Sequence, residues 1–89
     1  MKNGLKSVES QDYIEISDLA LVSALQCLGF SFIRTKGDPD EYPKIRFIFS
    51  KTNKLERIIT NFWDGTLLVE PKNYWRTVRE IKSRIQRNK

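Results

Sequence analysis

The sequence predicts an α+β domain: a small antiparallel sheet of three or four strands, helices packed on it, and a basic helix added at the C-terminus. Three observations predict it. Lys44 to Ser50 (KIRFIFS) alternates, with Ile45, Phe47 and Phe49 on one face and Lys44, Arg46, Ile48 and Ser50 on the other. Leu21, Ala24, Leu25 and Leu28 recur at the i, i+3, i+4, i+7 spacing of a helix. Pro71 to Lys89 carries seven basic residues and one acid, a formal +6, whereas residues 1–70 carry nine basic residues and ten acids, a formal −1.

The chain has 89 residues and a net charge of +5. That length suits one domain. Residues 1–11 show no periodicity and are expected to form a flexible tail; residues 12–89 form the domain. Tyr13-Ile14-Glu15-Ile16 alternates weakly, the pattern of a short strand. Ser17 fits a helix N-cap, with Asp18 in the first turn, and Gly29 suits the helix end. Phe30 to Thr35 is rich in aromatic and β-branched residues and reads as a strand. Lys36 to Pro43 (KGDPDEYP) is an acidic turn between two strands that can pair as a hairpin. Asn53 and Glu56 have the spacing of a capping box, with Thr52 as the competing cap. Leu55, Ile58, Ile59 and Phe62 continue as a helical stripe to Asp64-Gly65. Thr66 to Val69 reads as a last short strand, and Pro71 opens the last helix. With Tyr13–Ile16 as a strand the order is β-α-β-β-α-β, a ferredoxin-like pattern, followed by the basic helix. Without it, three antiparallel strands lie under the helices.

The chain has no histidine and one cysteine, Cys27. Imidazole bases, histidine zinc sites and an internal disulfide are thereby excluded. Cys27 reads as a buried or half-buried apolar residue. Asp38, Asp40 and Glu41 lack the ligand number and glycine of a calcium loop and read as a solvated acidic loop. No catalytic or metal-ligating residue is assigned, no cofactor is expected, and the chain reads as a non-enzyme. No apolar run reaches the ~20 residues of a membrane span, and the polar N-terminus has no signal-peptide core, so a cytoplasmic protein is expected.

In the last segment Tyr74, Val78, Ile81 and Ile85 fall on one stripe, with Lys72, Arg76, Arg79 and Arg87 opposite. A basic amphipathic helix fits DNA or RNA, whose phosphates attract cations without regard to sequence. The expected contacts are Lys72, Arg76, Arg79, Lys82, Arg84 and Arg87, joined by Lys44 and Arg46 of the strand. Trp75 can stack on a base if exposed, but its position near the apolar stripe favours packing. Glu80, spaced i, i+4 from Arg76 and Arg84, is the mark of a salt-bridged solvated helix. The second function class is therefore a protein-interaction or inhibitor domain, self-associating as a homodimer, of the kind carried by mobile elements. Phe47 and Phe49 share the core face with Ile45, so the sheet offers no aromatic platform for bases.

Ser17-Asp18-Leu19, Leu28-Gly29-Phe30, Phe47-Ile48-Phe49, Val69-Glu70-Pro71, Tyr74-Trp75 and the run from Arg79 to Ile85 resemble a family of small uncharacterised prokaryotic and viral domains. The resemblance covers most of residues 13–85. It implies a stand-alone small domain and transfers no activity or site residue.

Overall fold

The computed structural model describes residues 12–37 and 45–87, the side chains of 86 and 87 excepted. The elements are β1 (Tyr13–Ile16), α1 (Leu19–Cys27), β2 (Arg34–Lys36), β3 (Arg46–Ser50), α2 (Asn53–Asp64) and α3 (Pro71–Arg87). The α+β class predicted from the sequence is the one observed. The strands form one sheet in the order β1-β3-β2, with β3 antiparallel to both neighbours. β1 and β2 therefore run parallel on either side of β3, and α1 connects them. The weak first strand is real, but the strand expected over Thr66–Val69 is not. That stretch has no regular structure, and Leu68 is 85% exposed. Among the described residues the sheet has three strands, so the ferredoxin-like pattern is not completed. A short apolar run needs a paired neighbour to become a strand, and this one has none.

Local chemistry explains the helix ends. Asp18, not Ser17, caps α1: its carboxylate accepts from the Leu21 N–H at 3.1 Å. The hydroxyl of Thr52 accepts from the Leu55 N–H at 3.0 Å and caps α2, so Thr52 wins over Asn53. Gly65 ends α2 in the left-handed region at φ 79°, which a side chain would resist. Glu70 starts α3, accepting from the N–H groups of Lys72 and Asn73 at 3.1 and 2.7 Å.

The core lies between one sheet face and the helices. Ile16, Ile45, Phe47 and Phe49 meet Leu21, Val22 and Leu25 of α1, Leu55 of α2, and Ile81 and Ile85 of α3. Phe32 packs edge-on against Phe47 and Phe49, at centroid distances of 5.0 and 6.2 Å. Phe32 and Thr35 thus both reach the side of Phe47, although they are three residues apart. One extra residue explains it: Arg34 pairs with Ile48, and the Ile33 N–H also donates to the Ile48 carbonyl at 2.7 Å. Two residues opposite one is the arrangement of a β-bulge. The bulge shortens the strand expected over Phe30–Thr35 to Arg34–Lys36.

Three burials differ from the sequence expectation. Leu28 is exposed because α1 ends at Cys27, before its stripe is complete. Ser23 is wholly buried, and its hydroxyl has no hydrogen-bond partner among the described residues. Ile48 points away from the core yet is only 2% exposed. Its cross-strand neighbours, Glu15 and Arg34, have aliphatic stems long enough to shield it. Phe47→Ala is expected to cost about 3–5 kcal/mol and Ile48→Ala about 2–5 kcal/mol in a denaturant titration. In the same assay Ser23→Ala should be neutral or stabilising, by up to about 1 kcal/mol, because it removes an unpaired buried hydroxyl.

Candidate nucleic-acid interface

Lys54 and Arg57 are exposed on α2, and the other described cations lie mainly on two surfaces. The first is α3. Thr77, Ile81 and Ile85 are buried, and Tyr74 and Val78 are half-buried, which fixes the inward face of the helix. Helical geometry then turns Lys72 and Arg79 to the far side and sets Trp75 and Lys82 on the flank beside Val78, where all four are exposed. The packing expected of Trp75 is not found: its indole is 59% exposed. Lys72, Arg79 and Lys82 are its neighbours three, four and seven positions away on the helix surface. The other flank is more constrained. Arg76 donates to the Asn73 side-chain oxygen at 2.7 Å. The Arg84 guanidinium lies 5.0 Å from the centre of the Phe32 ring, a cation–π contact. No ion pair joins Glu80 to Arg76 or Arg84 among the described residues, so the salt-bridged flank expected from the spacing does not form. Arg87 belongs to α3 by its backbone.

The second surface is the sheet face turned away from the helices. Arg34, Lys36 and Arg46 occupy it by strand alternation, and all are exposed. Glu15, from β1, faces the same way and holds Lys36 at 3.2 Å and Arg46 at 3.8 Å. Exposed pairs of this kind are worth little, but they cancel local charge. Arg46, assigned from the sequence, is thus partly neutralised. Arg34 has no ion pair among the described residues. Lys44 lies outside the described residues, as do Asp38, Asp40 and Glu41 of the acidic loop. The two surfaces do not merge into one face. They approach each other at β2, where Arg84 and Thr35 line one small cleft. Arg34 and Lys36 were legible as cations of this face only from the bulge, which the sequence does not announce.

Other chemistry is sparse. Among the described residues no three potential metal-ligating side chains converge. No helix in the described part is long and apolar enough to cross a membrane. Cys27 is half-buried at the end of α1.

A three-stranded antiparallel sheet with three helices, one of them cationic on its open face, defines a small α+β domain. The chain belongs to the family described as a domain of unknown function (DUF5659), which matches residues 11–87. No curated protein and no solved structure matches it.

Tyr74 reports on the seat of α3. Its hydroxyl donates to the Ala20 carbonyl at 3.3 Å, tying α3 to α1. Burial raises its pKa above the usual tyrosine value, and the nearby charges of Asp18 and Cys27 raise it further. A folded-state pKa above the unfolded one gives stability that is complete below about pH 10 and lost as pH rises through the folded value. The wild type should therefore lose stability above about pH 10 more steeply than Tyr74→Phe, as read from denaturant midpoints across that range.

Proposed function

We propose that this chain is a small nucleic-acid-binding module whose ligand is single-stranded DNA or RNA held along α3. Lys72, Arg79 and Lys82 contact phosphates, and Trp75 stacks on a base between them. Arg76 and Arg84 add positive potential on the neighbouring flank, and Arg87 adds its charge to the end of α3. The observation that carries this reading is the exposed indole among three exposed cations on one helical face. Aromatic faces accept any base, and cationic grooves track any backbone, so the pairing suits binding without sequence preference. Arg34, Lys36 and Arg46 are assigned no direct role in this contact, because they face the other side of the sheet. The reading contains no catalytic step and no cofactor. It places the protein's work in the cytoplasm.

The test is binding of fluorescent single-stranded oligonucleotides over a range of salt. Affinity should fall with salt, with a log–log slope of about −0.7 per phosphate contact. Arg79→Ala combined with Lys82→Ala should flatten that slope by about 1.4 units, or ~0.7 per lost contact. Trp75→Ala should cost about 1–3 kcal/mol of binding and leave the slope unchanged. Absence of salt-sensitive binding to any DNA or RNA at low ionic strength would sink the proposal. The exposed cations would then be a solvated face, or a dock for an acidic protein.

A further inference from the structure

β1 stands at one end of the sheet, so one of its sides is unpaired among the described residues. The hydrogen-bond pattern tells which backbone groups face outward. The Lys51 N–H donates to the Asp12 carbonyl at 2.9 Å, so Asp12 faces β3, and by alternation so do Ile14 and Ile16. The N–H and C=O groups of Tyr13 and Glu15 therefore point to the open side. Beside this edge runs a groove of about 460 Å³, lined by Ile14, Ile16 and Leu21 and walled by Ile59 and Trp63 of α2. Trp63 is 62% exposed there.

The charge of the groove has one sign. Among the described residues Glu15 and Asp18 line it, and no Lys or Arg does. Glu15 is already shared by Lys36 and Arg46 on the outer face. Asp18 makes no ion pair among the described residues, and one of its carboxylate oxygens, Oδ1, suffices to cap α1. Residues 1–70, which supply every lining side chain, carry a formal −1 against the +6 of residues 71–89.

We propose that this edge and groove bind an extended, basic segment of a partner protein, which adds to β1 as a fourth strand, sets apolar side chains in the groove and brings Lys or Arg to Asp18 and Trp63.

Three features select that occupant. The outward N–H and C=O groups of Tyr13 and Glu15 recur every second residue, which matches an extended chain and not a helix. Alternate side chains of an added strand would lie beside Ile14 and Ile16 and so face the apolar groove. The charge then fixes the sign of the partner. Asp18 attracts a cation, and an exposed indole such as Trp63 favours one over its face. A second copy of this chain paired through the same edge would bring Glu15 and Asp18 against the same two acids, so the surface suits a cationic partner better than itself.

This inference is independent of nucleic-acid binding by α3, and its test contains no nucleic acid. The probe is a capped octapeptide alternating valine with arginine. It is added to the full chain carrying Trp75→Phe, so that Trp63 is the one tryptophan left. Trp63 emission should change and saturate with this peptide, and stay constant when glutamate replaces the arginines. Asp18→Asn keeps a capping oxygen but loses the charge; it should weaken binding about fivefold, as loss of one partly exposed ion pair does. Trp63→Ala, read from the anisotropy of a labelled peptide, should weaken it about tenfold or more, as truncating an aromatic anchor does. N-methylation of every second peptide amide tests the strand addition: one alternate set should abolish binding, and the other should leave it nearly intact. The peptide controls leave Asp18 in place, so they decide even if Asp18→Asn does not fold. Equal affinity for the arginine and glutamate peptides, Trp63 emission that ignores the arginine peptide, or full binding by both methylated peptides would each overturn the proposal.

Discussion

The domain depends on the burial of β3 from both sides. Phe47 and Phe49 enter the space between sheet and helices, and Ile48 is shielded on the opposite face. Three consecutive large apolar residues in one central strand leave little freedom of register. A slip by one position would drive Ile48 into the core and put two phenylalanines into water. Neighbouring elements are held by reference to this strand. β1 pairs along it through Tyr13–Ile16, β2 pairs through Arg34–Lys36, and Phe32 closes on the two phenylalanine rings. α3 follows, because Ile81 and Ile85 belong to the same cluster.

That arrangement also decides where charge can be used. Once Thr77, Ile81 and Ile85 turn inward, Lys72, Arg79, Lys82 and the Trp75 indole have nowhere to go but solvent. The bulge at Ile33 and Arg34 has a parallel effect on the sheet, sending Arg34 and Lys36 to the face away from the helices while Thr35 and Phe32 stay on the side of Phe47. The cations of α3 and those of the sheet thus occupy two outer surfaces. One is partly quenched by a carboxylate, and the other carries an exposed aromatic ring. Among the described residues no Lys or Arg lines the groove beside β1.

Part of this was legible in the residues alone. The α+β class, the strong central strand, the three helices and the cationic character of the last segment follow from periodicity and composition, which local sequence carries directly. The stops at Gly65 and the start near Pro71 are likewise local, set by backbone conformation. Membership in an uncharacterised domain family was visible in the short motifs from Ser17 to Ile85. The sequence reading put the first cap at Ser17 and the structure puts it at Asp18, and Thr52 prevails over Asn53, because both members of each pair can cap a helix and residue type does not choose between them.

The tertiary structure decided whatever depends on what lies opposite a residue. Thr66–Val69 has the composition of a strand but no partner to bond, so it stays irregular. Trp75 sits near the edge of an apolar stripe, and only the seat of α3 on α1 determines that it faces solvent. Ile48 alternates to the outer face by sequence, yet it is only 2% exposed there, which periodicity does not foretell. The bulge depends on one extra residue between Phe32 and Thr35, visible only once Phe47 fixes both sides. Local sequence determined which segments become helix or strand, since that choice rests on periodicity and backbone preference. Pairing, packing and exposure were decided by tertiary structure, because burial is a property of two surfaces and a sequence read in order shows one at a time.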